Sequence, residues 1–263
     1  MANEIHPTAI IADGAKLGTD NVIAPYAVIE TDTVIGNGNT IGAHAVIKAK
    51  TRIAHDNTIA EHAVLGGLPQ DLSFSEKDTF VELGSGNVLR EGVTINRATK
   101  ENEATRLGDN NYLMTLVHIG HDCQLGNNIV LAPSTGIGGH VHIADRAFIS
   151  GGVMVHQFGR IGAFAMIGGN SKITQDVLPF MMTDGVPATV RGLNLVGLRR
   201  AGFSREDIRS LKESYRILFS GAGSLEDRLA SVTALENDKT AQLADFIHAS
   251  KRGFHRDKPD SRA

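Results

Sequence analysis

The chain has 263 residues and a formal net charge of -3, which argues against a general nucleic-acid-binding protein. Aromatic residues make up 5% of the sequence, tryptophan is absent and glycine occurs 29 times, a composition that suits a scaffold of small and aliphatic residues. The single cysteine, Cys123, excludes an intramolecular disulfide and fits a reducing compartment. The sequence shows neither a signal-like N-terminus nor a long apolar run, so we expect a soluble cytoplasmic protein without integral membrane association.

An aliphatic residue recurs at every sixth position from the start of the chain. The positions are Ile5, Ile11, Leu17, Ile23, Ile29, Ile35, Ile41, Ile47, Ile53, Ile59 and Leu65, then Leu83, Leu89 and Ile95, then Leu107, Leu113, Ile119, Leu125, Leu131, Ile137, Ile143, Ile149, Val155, Ile161, Ile167 and Ile173. A helix has a period of about 3.6 residues, and ordinary hairpins, the alternative, alternate every two residues with variable spacing. A strict period of six therefore predicts a coil with flat sides, each contributing one inward side chain to a stack of parallel strands.

Two polar stretches interrupt this ladder, at about residues 66–80 and 96–106. We expect both to bulge from the coil as loops, because inserted polar segments do not fit a stacked side. Loops carried on a rigid scaffold are where binding residues concentrate, although plain tolerated insertion is the alternative.

After Ile173 the pattern stops and a helical pattern follows. Ser204 is a candidate N-cap for a first helix, Ser224 for a second helix that reaches Leu235, and residues 240–250 form a candidate third helix. Pro179, Gly185 and Pro187 break the ladder beyond Ile173, and residues 255–263 are expected to fray. We therefore predict a mainly β protein with two domains, a coiled β array over residues 1–190 and a small α-helical domain over residues 191–263.

Histidines are concentrated in the third run of the ladder. If three six-residue sides close one coil, eighteen residues return the chain to the same side. His121 and His140 are nineteen residues apart, and His140 and His156 are sixteen apart. We therefore expect these three side chains to lie in successive coils on nearly one face, where a neighbouring subunit would complete a polar cleft.

Five ordered motifs carry a resemblance to a known family. They are HIGHD at 118–122, GGH at 138–140, VHQF at 155–158, PQDLS at 69–73 and GLRRAGFSRE at 197–206. Together they resemble the UDP-N-acetylglucosamine acyltransferase family of hexapeptide-repeat proteins, and the resemblance spans nearly the whole chain. It implies a left-handed parallel β-helix and a homotrimer. The left hand does not follow from spacing, because parallel crossovers are usually right-handed.

The resemblance also implies an activity. Members of the family move an (R)-3-hydroxyacyl chain from acyl carrier protein to the 3-position of UDP-N-acetylglucosamine, the first step of lipid A biosynthesis, and the resemblance implies no cofactor and no metal. Such a transfer needs a base for the sugar hydroxyl and donors for the tetrahedral oxyanion. By resemblance, His121 is the base, Asp122 orients it and the amide of Gly139 serves the oxyanion. A surface turn residue is the alternative for His121.

The resemblance assigns the remaining positions to substrate binding. These are Gln70, Asp71 and Ser73 in the first insert, Asn96 at the second, His118, His140, His156 and Gln157 along the coils, and Asn194 and Arg200 at the uridine diphosphate end. Arginine suits a phosphate because its donors form a fixed fork. A solvated linker before a helix is the alternative for Asn194 and Arg200.

Three positions depart from the family pattern. Ser73 stands where lysine is usual, Asn96 where histidine is usual and Val196 where glutamate is usual. Some members of the family prefer a 3-amino sugar and form an amide, so that acceptor stays open here.

Two further residues invite interpretation. Gly169 falls where the resemblance places the end of the acyl groove, and since a missing side chain leaves room, we expect a longer rather than a short acyl chain. Cys123, beside the proposed base, could carry an acyl group, but a free cysteine is more often a small buried hydrophobe.

A set of basic residues could dock an acidic carrier protein or form a solvated helix face. They are Arg191, Arg199, Arg200, Arg205, Arg209 and Lys212.

Three other functions compete. A γ-class zinc carbonic anhydrase uses histidines from adjacent subunits on the same scaffold, but it has two histidines five residues apart on one chain, a pair that is absent here. An acetyl-CoA-dependent acetyltransferase would use another acyl donor. A purely structural β-helix would leave the histidine alignment without a role.

Overall fold

A computed structural model of the protein describes residues 2–256, and its strands follow the six-residue ladder. The first run forms β1 (Glu4–Ile5), β2 (Ile10–Ile11), β3 (Lys16–Leu17), β4 (Val22–Ile23), β5 (Val28–Ile29), β6 (Val34–Ile35), β7 (Thr40–Ile41), β8 (Val46–Ile47), β9 (Thr51–Ile53), β10 (Thr58–Ile59) and β11 (Val64–Gly67). The second forms β12 (Phe80–Leu83), β13 (Val88–Leu89) and β14 (Thr94–Asn96). The third forms β15 (Ala104–Leu107), β16 (Tyr112–Leu113), β17 (His118–Ile119), β18 (Gln124–Leu125), β19 (Val130–Leu131), β20 (Gly136–Ile137), β21 (His142–Ile143), β22 (Phe148–Ile149), β23 (Met154–Val155), β24 (Arg160–Ile161), β25 (Met166–Ile167) and β26 (Lys172–Ile173).

These strands form a parallel β-helix with three flat sheets. Each strand pairs with the strand one coil later, so that sheet 1 begins β1-β4-β7, sheet 2 begins β2-β5-β8 and sheet 3 contains β3-β6-β9. Where no insert intervenes, the register is eighteen residues, with Ile5 opposite Ile23 and Ile11 opposite Ile29. The hairpin alternative is therefore wrong for the ladder, and the predicted coil is confirmed.

The ladder side chains form the core of the coil. Every ladder position from Ile23 to Ile173 is buried, whereas Ile5 in the first coil is 43% exposed because no earlier coil covers it. Each buried isoleucine or leucine contributes about 1.5–3 kcal/mol of transfer free energy. The stack therefore replaces the core of a globular domain.

A second stack, of asparagines, lies at the corner where sheet 3 turns into sheet 1. The Oδ1 atom of Asn39 accepts the backbone N–H of Asn57, and the Oδ1 atoms of Asn57 and Asn87 accept the N–H groups of Asn87 and Asn111, at 2.9 Å each. All four side chains are buried. Buried amides are tolerated only when they are hydrogen-bonded, and here each coil satisfies the next.

Most corners contain a residue with positive φ, and many of these residues are not glycine or asparagine. Leu116 and Phe158 have φ of 61° and 63°. This conformation costs roughly 1 kcal/mol for an ordinary L-residue. The backbone N–H group of each residue donates a hydrogen bond to the preceding coil. Leu116 donates to the Glu91 carbonyl and Phe158 to the Gly139 carbonyl, at 2.9 Å each. Inter-coil hydrogen bonds therefore stabilise the left-handed conformation of bulky residues at these corners.

Both inserts leave the coil at the corner between sheets 2 and 3, here called the loop corner. The first loop comprises residues 68–79 and the second residues 97–103, so both are shorter than the predicted 66–80 and 96–106. The difference arises because the flanking residues extend the ladder: Gly67 pairs with Asn96, and Phe80 pairs with Ala104.

Beyond the coil, the part of the chain up to residue 256 forms a hairpin and four helices. Strands β27 (Met181–Gly185) and β28 (Ala188–Leu193) pair antiparallel, followed by α1 (Leu195–Arg200), α2 (Arg205–Ser220), α3 (Leu225–Thr233) and α4 (Asp238–His248). Residues 257–263, assigned from sequence to the helical domain and to a frayed tail, lie outside the described residues. No helix within residues 2–256 is long and apolar enough to cross a membrane.

The helix predictions are confirmed where caps mark them. Ser204 and Ser224 each form a reciprocal capping box with Asp207 and Asp227. The third predicted helix begins two residues earlier, at Asp238, and Leu235 lies after α3 rather than on it. Helix α1 and the hairpin before it were not predicted from sequence, because neither has a strong period. Asn194 caps α1 and Arg200 ends it, so these two residues do not lie in a linker.

We predict that Ile41→Ala lowers the free energy of unfolding by about 2–5 kcal/mol, since Ile41 is fully buried and its loss leaves a cavity in the stack. Ile5→Ala is the matched control and should cost about 1 kcal/mol or less. Chemical denaturation of both variants measures the difference, and equal small effects would contradict the stacked core.

Candidate active site

Successive coils bring the predicted chemistry together at the loop corner. Asn96 ends strand β14, His121 and His140 follow strands β17 and β20 of sheet 2, and the two loops leave the same corner. The backbone N–H of His140 donates to the His121 carbonyl at 2.9 Å, which fixes one coil on the next. The corner therefore has a rigid floor of stacked turns and two loops beside it.

His121 and Asp122 form a hydrogen-bonded pair at this corner. The Nδ1 atom of His121 lies 2.7 Å from Oδ2 of Asp122, and both side chains are about nine-tenths buried, with exposures of 11% and 10%. Asp122 also accepts hydrogen bonds from the N–H and the hydroxyl of Thr99, at 3.1 and 2.8 Å. Burial alone would raise the pKa of Asp122, but the hydrogen bonds from His121 and Thr99 together hold it below its ordinary value. The carboxylate therefore stays ionised and orients the imidazole.

The other side of the His121 ring lies against Gly139. A Cβ atom at position 139 would fall 2.6 Å from Nε2 of His121, so only glycine fits there. Among residues 2–256, no acceptor for the Gly139 N–H is found. An imidazole nitrogen and an unused amide donor thus occupy neighbouring positions.

His140 is the second imidazole of the corner. Its ring meets that of His121 edge-on at 5.1 Å and stacks on Phe158 at 4.5 Å, while its Nε2 lies 3.5 Å from Oδ2 of Asp122. Burial lowers the pKa of His140 despite the attraction of Asp122. His140 is therefore neutral at neutral pH.

The other two histidines lie on either side of this group. His118 is on β17, in the same coil as His121, with Nδ1 2.8 Å from the Thr94 hydroxyl, and burial lowers its pKa. His156 reaches the same corner in the following coil, as predicted, but it is exposed, and its Nδ1 lies 3.1 Å from the Gln157 carbonyl oxygen and 3.3 Å from Nη2 of Arg252.

A cavity of about 340 Å³ opens at the loop corner and extends over sheet 2. Six of the residues predicted from sequence line it: Gln70, Asn96, His118, His121, Gly139 and Gln157. Its remaining wall consists of Gly120, Gly136, Ile137, Gly138, Met154 and Val155. The cavity thus has a polar end at the two loops and an apolar floor along the ladder.

The first loop approaches the histidine pair. Asp71 accepts hydrogen bonds from the N–H and hydroxyl of Ser73 at 2.9 and 2.8 Å, and these lower its pKa. The charges of His121 and His140 also lower the pKa of Asp71, and Gln70 of the same loop lines the cavity together with His121. Ser73, where the family pattern has lysine, thus forms a turn with Asp71.

Three predicted site residues, Gly169, Asn194 and Arg200, lie away from the loop corner. Gly169 is exposed at another corner, between sheets 1 and 2. Asn194 caps α1, accepting from the Gly197 N–H and donating to the Phe164 carbonyl at 3.0 Å each. Arg200 is exposed at the end of α1. Within one chain these residues are separate from the loop corner.

The chain is similar to known proteins over nearly its whole length. A family model described as UDP N-acetylglucosamine O-acyltransferase, domain 2, matches residues 176–255, and one for bacterial transferase hexapeptide repeats matches residues 104–139. An acyl-[acyl-carrier-protein]–UDP-N-acetylglucosamine O-acyltransferase of Burkholderia mallei is 47% identical over 261 residues, which cover 97% of this chain and all of that protein. The Verminephrobacter eiseniae enzyme of the same name is 45% identical with the same coverage. This chain belongs to the UDP-N-acetylglucosamine O-acyltransferase family.

Solved structures of family members agree. UDP-N-acetylglucosamine acyltransferase from Bacteroides fragilis matches with a TM-score of 0.94 and 39% identity, covering 96% of this chain and all of that one. The Francisella novicida enzyme matches with a TM-score of 0.93 and 35% identity, covering 97% and 94%. The predicted left-handed parallel β-helix with a small helical end is thereby confirmed.

Several functional neighbours escaped sequence analysis even with the family in mind. Thr99 and Thr105 hold Asp122, the latter by accepting the Asp122 N–H at 2.8 Å. Phe158 supports the ring of His140. Their only sequence signal is position: Thr99 is in an insert, and Phe158 lies eighteen residues after His140.

Cys123 is a small buried residue, as the sequence suggested, and not an exposed nucleophile. It is fully buried, its Sγ lies 3.1 Å from the Gly138 carbonyl oxygen, and burial raises the pKa of the thiol to about 12. A thiol that stays protonated is a poor acyl carrier.

We predict that Asp122→Asn lowers the pKa of His140 further below its ordinary value near 6.5. Burial already disfavours the imidazolium, and the variant removes the carboxylate that favours it, so both effects then act in the same direction. NMR titration of the His140 ring in the two proteins measures this shift. An unchanged or raised pKa would contradict the proximity of the two groups.

Proposed function

We propose that the protein transfers an (R)-3-hydroxyacyl chain from acyl carrier protein to the 3-hydroxyl of UDP-N-acetylglucosamine, the first step of lipid A biosynthesis, with His121 as general base. One observation carries the assignment of the base. His121 is held at Nδ1 by Asp122, while its Nε2 edge lies against Gly139 in the cavity. Family membership supplies the class of reaction.

The reaction starts at the sugar hydroxyl. Asp122 accepts the Nδ1 proton, which leaves Nε2 as the basic nitrogen of a neutral His121. Nε2 takes the proton of the 3-hydroxyl while the sugar oxygen bonds to the thioester carbonyl carbon. A positioned base of this kind contributes roughly 10²–10⁴-fold.

The oxyanion then needs a donor, and the Gly139 N–H is proposed to serve it. Loss of one such donor typically costs about 10²–10³-fold in turnover. When the tetrahedral intermediate collapses, the C–S bond breaks, and the imidazolium of His121 returns its proton to the leaving thiolate of the carrier arm. The products are an ester and a free thiol, and His121 is neutral again.

The other polar groups of the loop corner and the first loop are proposed to position the acceptor. His118, His140, His156, Gln157, Gln70, Asp71 and Ser73 supply hydrogen-bonding groups around the sugar. Asn96 is the most informative, because it is 7% exposed and its Oδ1 is buried without a partner among residues 2–256. An unpaired buried acceptor costs about 1–3 kcal/mol, and a substrate donor would remove that cost.

The unpaired Oδ1 atom of Asn96 also supports a second candidate acceptor, a 3-amino UDP-sugar. Oδ1 of Asn96 accepts from an N–H as readily as from an O–H, and with Ser73 and Val196 this site lacks the usual lysine and glutamate. An amine acceptor would give an amide through the same base and oxyanion steps.

A homotrimer is proposed to complete the site. Asn194 and Arg200 are separate from the loop corner within one chain, so their role at the uridine diphosphate requires a neighbouring subunit. Leu68 and Leu72, on the first loop, are 57% and 109% exposed. Apolar side chains so exposed beside Gln70 and Asp71 are suited to contact with another chain.

The acyl chain is proposed to be long. The apolar floor of the cavity follows sheet 2, and Gly169 lies at the next corner toward the C-terminal end. A Cβ atom there would meet only the Gly151 carbonyl oxygen at 3.5 Å and Ser150 Cβ at 3.9 Å, so the backbone itself does not require glycine. We therefore attribute the glycine at position 169 to the space that the acyl carbons need.

The cytoplasm is the proposed location, supported by the free Cys123.

We predict that His121→Ala reduces transfer of a labelled (R)-3-hydroxyacyl group from carrier protein to UDP-N-acetylglucosamine by about 10²–10⁴-fold. His142→Ala is the matched control, since His142 is an exposed histidine on the next sheet, and it should retain turnover within about twofold.

Parallel reactions discriminate the alternatives. A 3-amino UDP-sugar tests the amide-forming acceptor, and acetyl-CoA tests the acetyltransferase interpretation. Near-wild-type turnover of His121→Ala would show that the base is wrongly assigned. Turnover with acetyl-CoA but not with the acyl carrier protein thioester would show that the acyl donor is wrongly assigned.

A further inference from the structure

Three potential metal ligands converge at the loop corner. A nitrogen of His121, an oxygen of Asp122 and a nitrogen of His140 all lie within 4.8 Å of one another. Two imidazoles and a carboxylate are a donor set that binds zinc in proteins. We propose that these three side chains also form a Zn²⁺ site, and that zinc bound there inhibits acyl transfer; the inhibition, unlike the binding, rests on the proposed function.

The geometry is close to what zinc requires. Ligand atoms about 2.0–2.2 Å from a tetrahedral zinc are separated from each other by roughly 3.3–3.5 Å. His140 Nε2 and Asp122 Oδ2 are already 3.5 Å apart, and His121 Nδ1 and Asp122 Oδ2 are 2.7 Å apart with a proton between them. Replacing that proton with zinc requires the His121–Asp122 separation to widen by about 0.6–0.8 Å. Water is proposed as the fourth ligand of a tetrahedral zinc.

The surroundings favour a bound cation. Asp122 is held by Thr99, which orients the carboxylate in the way that outer hydrogen bonds orient metal ligands. His140 is held in place by stacking on Phe158, with ring centroids 4.5 Å apart. The carboxylate and the second imidazole are thus oriented before metal binds.

Inhibition follows from the tautomer of His121. A proton on Nδ1 leaves Nε2 free to take the sugar proton. Zinc on Nδ1 occupies that nitrogen instead, so the neutral ring must carry its proton on Nε2. The base then becomes a donor, and the ester-forming step loses its proton acceptor although the residue is still in place.

The test measures binding of Zn²⁺ alone to the full chain by isothermal titration calorimetry. We expect one zinc per chain. Asp122→Asn and His140→Gln should each weaken binding by about tenfold or more, since even the loss of an outer hydrogen bond to a ligand can cost that much. His142→Gln, a nearby histidine outside the cluster, should leave the affinity unchanged. Circular dichroism of each variant verifies that it is folded.

A second readout is independent of catalysis. In ¹⁵N-labelled protein, zinc should move the NMR signals of His121 from the Nδ1-protonated to the Nε2-protonated form, and EDTA should reverse the change. No zinc binding, or equal binding by the His140→Gln variant, overturns the site. Zinc bound without the tautomer change, or without loss of transfer in an active preparation, overturns the inhibition. Absence of transfer in metal-free protein would count against the proposed function alone.

Discussion

The structure depends on one constraint, the eighteen-residue register that pairs each two-residue strand with its counterpart one coil later. Strands this short have no stability by themselves, and they persist because neighbouring coils cover their aliphatic side chains and take their hydrogen bonds. The exposure of Ile5 at the open end and the burial of Ile23 one coil later show this dependence directly. The asparagine stack from Asn39 to Asn111 repeats the same register with polar groups.

That register also creates the site. A turn at the loop corner of one coil lies directly on the turn of the next, so residues far apart in sequence are held at fixed spacing. His121 and His140 meet edge-on because their coils are consecutive, and Gly139 lies against His121 for the same reason. The two inserts leave the coil where they can reach these turns without disturbing the ladder.

The sequence was most informative where the physics is periodic or local. The six-residue ladder and the capping boxes at Ser204 and Ser224 could be read directly, and arithmetic on the coil length brought His121 and His140 to one corner. The hairpin over Met181–Leu193 and the helix over Leu195–Arg200 were missed, because both are held by packing against residues distant in sequence. The hydrogen bonds from Thr99 to Asp122 could not be predicted from sequence either, since they join an insert to a turn twenty-three residues away. The family resemblance named roles that periodicity alone could not.

A crystal structure of the protein with UDP-N-acetylglucosamine tests the account most directly, because it asks whether the register assembles a working site. The account predicts the 3-hydroxyl oxygen of the sugar about 2.6–3.2 Å from Nε2 of His121, with the sugar at the loop corner and Asn96 Oδ1 paired to a substrate donor. A sugar bound at another corner of the coil, or a 3-hydroxyl directed away from His121, would contradict it.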